Sequence, residues 1–433
     1  MTLTLADLFA QLFDADVPVA LDAYDGSSIA PPDTVGKVEI RTPRAIRYIV
    51  SAPGELGLAR AYVVGDIEVH GDLHATLHSL LAHRRGAPGW RDVAPLLRRW
   101  MFRRPAVPAE EFPPAWTRGV LRHTRERDAR AISHHYDVSN RFYELMLGRA
   151  MAYSCALFTT RDATLEDAQR AKFDLICRKL DLKPGQHLLD IGAGWGGLVR
   201  HAAEHYGVRA LGVTLSREQA AWAQEHLARA GLHGRAQVRF LDYRDLERVE
   251  FDAISSVGAM EHIGSAELGR HFRSMAARLR PQGRMLNHTI TRPSNLHRHR
   301  TGPFIDRYVF PDGELQGVGA VISAMHDGGL EVRHEESLRE HYSMTLRAWG
   351  ENLERHWDQA VTEVGERRAR VWRLYMAISR IGFDLNRIQI HQILGVRVSS
   401  TGRSGMDLRP SWEAAPRSDE RAARLAAMAD AVS

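Results

Sequence analysis

His187-Leu-Leu-Asp-Ile-Gly-Ala-Gly-Trp-Gly-Gly197 is the stretch of sequence that decides the fold. A short apolar run ends in an acid, Asp190, and four glycines follow within six residues. This pattern is typical of a buried parallel strand that turns tightly into a helix, because glycine adopts backbone angles closed to other residues and lets a ligand approach the main chain. The stretch therefore predicts a nucleotide-binding turn, with an ordinary glycine-rich turn as the alternative.

The position of the acid separates this turn from the dinucleotide fingerprint. In Asp190-x-Gly192-x-Gly194-x-Gly196 the carboxylate comes before the first glycine. That order suits S-adenosylmethionine (SAM), which has no pyrophosphate for a helix N-terminus to bind. We expect the Asp190 carboxylate to meet the amino group of the methionine part of SAM.

Four further apolar runs follow the turn, and helical patterns separate them. Their alternation predicts an α/β fold with a doubly wound, mostly parallel sheet. The predicted strands are Arg209–Leu215, Ala236–Leu241, Phe251–Val257 and Arg284–Ile290, and the predicted helices are Glu218–Ala230 and Ala266–Leu279.

Polar residues at the ends of two of these strands predict how a nucleoside is held. Thr214, Ser216 and Gln219 stand where nucleotide sites often carry an acid, so ribose recognition is expected to use neutral groups. Asp242 and Tyr243, after the next strand, are expected to frame the adenine.

The N-terminal part of the chain is predicted to be a separate small α/β domain. Residues 1–85 begin with a helical pattern over Leu5–Phe13 and continue with alternating runs at Lys37–Arg41 and Tyr62–Val69, which predict strands. The region contains no recognisable group of catalytic residues. A binding or docking role is therefore expected for it.

The remaining boundaries follow from shifts in composition. Residues 86–127 form a Pro- and Arg-rich linker that contains Leu96–Arg104, where aromatic residues mix with arginines as they do in membrane-surface segments. The alternative is a helix that merely docks on its own protein. Residues 128–398 are expected to form the catalytic domain, and residues 399–433 a flexible C-terminal tail.

Composition and charge narrow the class of protein. The 433 residues, 44% of them hydrophobic, are enough for more than one packed domain. Two cysteines exclude a disulfide framework and a cysteine-rich zinc site, and no metal site is predicted. No apolar run approaches the roughly 20 residues of a spanning helix, so a soluble, cytoplasmic protein is expected. The net charge of +5 favours nucleic acid or an anionic membrane surface, unless it reflects only an arginine-rich proteome.

Two chemically active positions fall at carboxyl ends of strands, where open α/β sheets bind ligands. Glu261, followed by His262, comes after the fourth strand, and His288 lies inside the end of the fifth. Each position alone also has a purely structural explanation, because a histidine in a strand is more often a core residue whose hydrogen bonds are satisfied within the protein. We expect these positions and the segment around Cys155 to converge on one pocket, which an insertion over residues 291–328 covers.

Six motifs resemble those of the cyclopropane-fatty-acyl-phospholipid synthase family, which includes actinobacterial methylene and 10-methyl fatty acid synthases. The resemblance runs from about His134 to Val398 and implies the Rossmann-like fold of class I SAM methyltransferases. It also implies transfer of the SAM methyl group to the cis double bond of an acyl chain in a membrane phospholipid, followed by closure of a cyclopropane ring. The motifs are Tyr153-Ser-Cys-Ala156, Asp190-Ile-Gly-Ala-Gly-Trp-Gly-Gly197, Gly212-Val-Thr-Leu-Ser216, Asp242-Tyr-Arg-Asp245, Ser256-Val-Gly-Ala-Met-Glu-His-Ile-Gly264 and His288-Thr-Ile290.

The same resemblance implies two sets of site residues. A bicarbonate ion that takes up the leaving proton would be held by Cys155, Glu261, His288, the backbone of Ile290, and Tyr342. Ala193 stands where the family commonly has cysteine, a small-for-small change. The residues implied for SAM are Tyr153, Ser154, Asp190, Gly192, Gly194, Gly196, Thr214, Gln219, Asp242 and Tyr243.

Partners and product follow from the resemblance as further expectations. They are a lipid-docking N-terminal domain, peripheral association with an anionic membrane surface, a homodimer, and no nucleic acid. The product is left open between a cyclopropane and a methylene branch that a partner reductase converts to a methyl branch. A small-molecule O- or N-methyltransferase and a basic binding or scaffolding protein are the remoter alternatives, and the intact glycines of the turn argue against the second.

Overall fold

The first part of the chain folds around a small four-stranded sheet of order β2-β1-β3-β4, as its sequence predicts for a small α/β unit. The structure, a computed structural model, describes residues 3–85, 105–112, 139–247, 249–296, 302–311 and 313–412. The elements of this first part are α1 (Leu5–Leu12), β1 (Val19–Ala23), β2 (Ser28–Ile29), β3 (Gly36–Ile40), α2 (Pro43–Ser51), α3 (Glu55–Val63), β4 (Ile67–Gly71) and α4 (Leu73–Ala82).

The strand predicted over Tyr62–Val69 is wrong in its first half. Tyr62 and Val63 end helix α3, and the chain turns at Gly65, with φ +80°, before β4 begins at Ile67. The error has a physical cause. Ala59, Tyr62 and Val63 are buried at helical spacing, so packing against the rest of the protein outweighs the preference of β-branched and aromatic residues for strands.

Several regions with predictions lie outside the described residues. They are the arginine-rich segment Leu96–Arg104, the polar residues His134–Asp137, residues 297–301 of the insertion, and the tail from residue 413.

A short part of the linker, residues 105–112, joins the N-terminal unit to the insertion. The Glu111 carboxylate is fully buried and accepts hydrogen bonds from Arg60 of α3, at 2.7 Å and 2.8 Å, and from Arg307 of the insertion. A buried acid that bridges two arginines fixes three segments at one point.

The rest of the chain builds on an eight-stranded sheet. The strands near the glycine-rich turn pair in parallel, and β12 pairs antiparallel with both β9 and β11. The order is β11-β12-β9-β8-β5-β6-β7, with β10 paired to β9, and it confirms the predicted doubly wound, mostly parallel sheet. The elements are α5 (Asn140–Leu147), α6 (Leu165–Lys179), β5 (His187–Ile191), α7 (Gly197–Tyr206), β6 (Arg209–Thr214), α8 (Arg217–Arg229), β7 (Ala236–Phe240), β8 (Phe251–Val257), α9 (Leu268–Arg278), β9 (Leu279–Arg292), α10 (Pro303–Tyr308), β10 (Gln316–Gly317), α11 (Val318–Asp327), β11 (Glu331–Ser337), α12 (Arg339–Arg355), α13 (Trp357–Val364), α14 (Glu366–Asp384) and β12 (Gln389–Val396).

The C-terminal region consists of three helices, α12 to α14, where the sequence pattern predicts a long helical region over Tyr342–Gly382. The break before α14 is at Gly365, whose φ of +79° ends the helical path. Helix α14 then packs on both α12 and the N-terminal helices α3 and α4, so it links the two parts of the molecule.

The apolar core surrounds the sheet and continues toward the N-terminal unit. One cluster combines α3, α5, α10, α12 and α14 and contains most of the tryptophan and tyrosine rings of the described chain. Within the described ranges, no helix has the length and apolar character required to cross a membrane.

Candidate active site

The glycine-rich turn lies where the sequence predicts it, at the carboxyl end of β5. Gly192, Gly194 and Gly196 all have positive φ, which other residues rarely adopt. At Gly192 a side chain is also excluded by space, because a Cβ there would lie 2.6 Å from the Cβ of Ala259. The turn therefore brings bare backbone up to the loop that follows β8.

A cavity of about 570 Å³ opens beside this turn. Two of the predicted SAM residues, Gly196 and Asp242, do not line it: Gly196 caps α7, and Asp242 is bound to Arg244 next to Tyr243. The predicted SAM residues that do line it are Tyr153, Ser154, Asp190, Gly192, Gly194, Thr214, Gln219 and Tyr243.

The residues predicted for the ribose form a neutral hydrogen-bonded pair. The Thr214 hydroxyl donates to Gln219 Oε1 at 2.7 Å, and both side chains are buried. Ser216 caps the helix that carries Gln219 by accepting a hydrogen bond from its backbone N–H. The cap fixes the start of α8 against the cavity, as a nucleoside site requires.

A buried acid and a buried amine face the cavity together. Asp190 accepts a hydrogen bond from Ser255 at 2.7 Å, and burial raises its pKa to about 7. Lys172 of α6 donates to Ser154 Oγ at 2.8 Å, and burial lowers its pKa to about 7. Sequence reasoning missed Lys172. The available signal was a polar residue at an apolar position of an amphipathic helix, since Ala168, Lys172 and Ile176 share one buried face.

None of the five residues that the resemblance assigns to bicarbonate is among those that line this cavity within the described chain. They adjoin it. Cys155 follows Ser154 in the sequence, and Glu261 precedes His262, and both of these neighbours line the cavity. Lys172 connects the two regions electrostatically, because its charge acts on Asp190, Cys155 and His288.

Glu261 and His288 each present a buried polar atom that has no hydrogen-bond partner among the described residues. Glu261 Oε1 accepts a hydrogen bond from the Ile290 N–H at 2.7 Å, whereas Oε2 has none. His288 Nε2 is likewise unpartnered. Burial raises the pKa of Glu261 and lowers that of His288 to about 3, so the imidazole is neutral. Orphaned polar atoms of this kind fit a bound oxyanion that carries a hydroxyl, such as bicarbonate.

A relay of buried side chains sets the tautomer of His288. Lys179 Nζ can only donate, and it donates to Gln392 Oε1 at 2.9 Å. The Gln392 amide nitrogen therefore faces His288 Nδ1, 3.0 Å away, which must accept. The proton of the neutral ring lies on Nε2, so the unpartnered atom is a donor.

Cys155 and Tyr342 are buried close to the start of α12. The Cys155 thiol donates weakly toward the carbonyl of Leu338, and burial raises its pKa, which keeps it protonated. It is therefore a hydrogen-bonding group and not a nucleophile. Tyr342 packs on Phe383, with ring centroids 4.6 Å apart.

An aromatic wall packs next to Tyr342 and next to His262, the neighbour of Glu261. Tyr153 lies against Trp349, with ring centroids 5.3 Å apart, and parallel to Phe310 of the insertion at 6.3 Å. Tyr375 of α14, which sequence reasoning also missed, interacts with the side chain of Tyr153 and with the charge of Glu261. The described part of the insertion thus contacts Tyr153, and its role as a cover of the site stays a prediction.

The chain is similar to several known proteins. The family model for mycolic acid cyclopropane synthetase matches residues 123–393. A probable fatty acid methyltransferase of Mycobacterium tuberculosis is 47% identical over 92% of this chain and 95% of its own length. The cyclopropane-fatty-acyl-phospholipid synthase of Escherichia coli K12 is 36% identical over 62% of this chain and 68% of its own. The crystal structure of the mycolic acid cyclopropane synthase CmaA1 with S-adenosylhomocysteine (SAH) and CTAB has a TM-score of 0.58 and 32% identity, and covers 62% of this chain and 98% of that protein.

These matches extend over more than half of the chain and include the glycine-rich turn and the loop after β8. The chain therefore belongs to the mycolic acid cyclopropane synthetase family, and it is a SAM-dependent methyltransferase of the kind that modifies fatty acyl lipids.

Proposed function

We propose that the protein transfers the SAM methyl group to the cis double bond of an acyl chain in a membrane phospholipid, and that proton loss then closes a cyclopropane ring. The observation that carries the proposal is the pair of orphaned atoms, Glu261 Oε2 and His288 Nε2, buried beside an aromatic wall. A methyl transfer to oxygen or nitrogen has no need for an oxyanion held away from water.

The chemistry explains why these groups are needed. SAM, when bound, supplies an electrophilic methyl group, which the weakly nucleophilic electron pair of an alkene attacks as the carbon–sulfur bond breaks. The resulting carbocation must be shielded from water, and the rings of Tyr153, Trp349 and Phe310 supply that shield. Bicarbonate, when bound, supplies the base for the proton that leaves the added carbon.

Glu261 and His288 would hold that base in complementary ways. The Nε2–H of His288 donates to an anionic oxygen, and Glu261 Oε2 accepts the hydroxyl proton. The backbone N–H of Ile290 is already used to fix Glu261, so in this structure Ile290 acts through that side chain.

A methylene product, reduced to a methyl branch by a partner, is the second candidate. The name of the 47% identical relative, a probable fatty acid methyltransferase, favours it. The two reactions share the methyl transfer. In the second, a hydride moves from the methylated carbon to the neighbouring cationic carbon, and the proton then lost from the added methyl group leaves a methylene double bond in place of a ring. The position of the base relative to the cation decides between them.

The test is incubation of the purified protein with trideuteromethyl SAM, bicarbonate and vesicles of a cis-unsaturated phospholipid. Gas chromatography with mass spectrometry of the released acyl chains is expected to show a cyclopropane that retains two deuterium atoms. A methylene chain would support the second candidate. Label found only in soluble acceptors, or in none, would overturn both.

We further propose that the N-terminal unit and the linker bring the enzyme to an anionic membrane surface, where a homodimer acts. Replacing Arg98, Arg99, Arg103 and Arg104 by serine is expected to weaken binding to anionic vesicles more at low than at high salt. If the variant co-sediments with the vesicles as well as the wild type does, the linker acts only as a spacer. The divisions at residues 85, 127 and 398 remain predictions.

A further inference from the structure

Lys172 is a buried amine that the reaction described above does not use. It is 1% exposed, and among the described residues its hydrogen bond goes to Ser154 Oγ at 2.8 Å. Its Nζ also lies 4.1 Å from the centroid of the Phe173 ring. A buried ammonium group of this kind is costly unless an anion approaches it.

Among the described residues, no acid is hydrogen-bonded to Lys172. Asp190 acts on Lys172 only through space, because its own hydrogen bond goes to Ser255. Both side chains line the same cavity, Lys172 from helix α6 and Asp190 from the end of β5. In the described part of the chain, the cavity thus presents one buried cation and one buried acid; the other Asp, Glu, Lys and Arg residues that line it, Arg244, Glu267 and Arg270, are exposed or partly exposed.

The segment around Ser154 is fixed so that its hydroxyl meets Lys172. The Gln169 amide, one helical turn before Lys172, donates to the carbonyl of Ser154 at 3.0 Å and to that of Ala152 at 3.2 Å. The hydroxyl can accept from Lys172 and still donate its own proton to a ligand. A carboxylate is the ligand that can use both groups.

We propose that Lys172 and Ser154 bind the α-carboxylate of the methionine part of SAM, while Asp190 binds its α-ammonium group. An amino acid zwitterion is the partner that matches a separated cation and acid in one pocket. The assignment rests on SAM as the cofactor of the family and not on the lipid acceptor. It makes Lys172 a cofactor-binding residue.

The test measures binding of SAH, which carries the amino acid, and of 5′-methylthioadenosine, which lacks it, by calorimetry without lipid. Lys172→Met is expected to weaken SAH binding roughly tenfold to hundredfold, the loss of a hydrogen bond to a charged group. Binding of methylthioadenosine should stay within about twofold, which also shows that the variant is folded. Lys172→Arg should recover part of the SAH affinity. Lys183→Met, at an exposed lysine of the loop after α6, is the matched control and should change neither.

Three results would overturn the assignment. They are unchanged SAH affinity in Lys172→Met, equal losses for SAH and methylthioadenosine, and a raised bicarbonate requirement with SAH affinity intact. The last would place Lys172 at the proposed oxyanion instead. Since no lipid is present in the binding assay, failure of the lipid reaction would leave the result interpretable.

Discussion

At the scale of single residues, the site depends on buried polar groups that can each form hydrogen bonds in only one direction. Lys179 cannot accept a hydrogen bond, so it fixes the amide of Gln392, and the amide in turn fixes the ring of His288. Buried donors and acceptors in such a chain have one satisfying arrangement. The direction in which His288 donates is therefore set by Lys179, two hydrogen bonds away.

Replacing Gln392 by Glu should reverse that direction. A carboxylate at this position accepts both from Lys179 and from His288, which moves the ring proton to Nδ1 and leaves Nε2 as an acceptor. We expect the bicarbonate concentration for half-maximal activity to rise, with SAH affinity unchanged, and nitrogen NMR of the ring to report the new tautomer. Gln237→Glu, on strand β7, is the matched control. A variant that keeps the Nε2–H tautomer, or needs no more bicarbonate, would contradict the relay.

Glu261→Gln tests the other orphaned atom. Glutamine can still accept from the Ile290 N–H, but it places an NH₂ donor where Oε2 lies, so it cannot accept the hydroxyl of a bound bicarbonate. We expect turnover to fall roughly a hundredfold, the scale of a general acid–base contribution, with little change in SAM affinity. Equal losses of turnover and SAM affinity, measured by kinetics and calorimetry on the same preparation, would assign Glu261 to the cofactor.

The sequence predicted the site residues that depend on local pattern and missed those that depend on packing. Gly192 and Asp190 could be located because a turn after a buried strand demands them. Lys172, Tyr375 and Gln392 lie in helices or a strand far from any motif, and their roles arise only when α6, α14 and β12 pack around the site. For Lys172 the sequence offered only its position on the apolar face of α6, which does not say what the amine contacts.

At the scale of elements, predictions succeeded where the period of the pattern was unambiguous. The parallel strands of the large sheet have continuous apolar runs, and β5 to β8 lie within a residue or two of their predicted bounds. Helix α3 was misassigned in part, because Tyr62 and Val63 favour strands locally. The insertion has its own helices, because α10 packs against α3 and α11 packs against α9.

The ion pairs of Glu111, which join the linker to α3 and α10, should contribute strongly to the stability of the protein. The Glu111 side chain is fully buried between Arg60 and Arg307, so Glu111→Ala leaves two guanidinium groups without their acid. We expect a loss of about 3 kcal/mol in the free energy of unfolding, the scale for breaking a buried ion pair. Asp22→Asn, which breaks an exposed pair with Lys37, should cost at most about 1 kcal/mol in the same denaturant titrations. Similar losses in the two variants would show that Glu111 contributes no more than a surface pair.

At the scale of the whole molecule, the N-terminal unit is joined to the catalytic sheet through buried charge as well as apolar contact. Arg370 of α14 donates to the carbonyls of Tyr62 and Ile67 and pairs with Glu68. Helix α14 also carries Tyr375, whose pKa is raised by burial and, to a smaller extent, by the charge of Glu261. Helix α14 therefore contacts both the N-terminal unit and the site, an arrangement that no local sequence motif predicts.

Buried neutral histidines should make the whole protein sensitive to acid. Burial lowers the pKa of His271 to about 4 from an ordinary value of 6.5, and neither ring nitrogen of this residue has a partner among the described residues. Because its proton is taken up on unfolding, stability should fall as the pH drops from about 6.5 toward 4, and His271 contributes up to roughly 3 kcal/mol of that fall. His271→Leu should flatten the plot of unfolding free energy against pH, whereas His233→Leu at the surface should not. Parallel curves for the wild type and His271→Leu would mean that this histidine is not the source of the acid sensitivity.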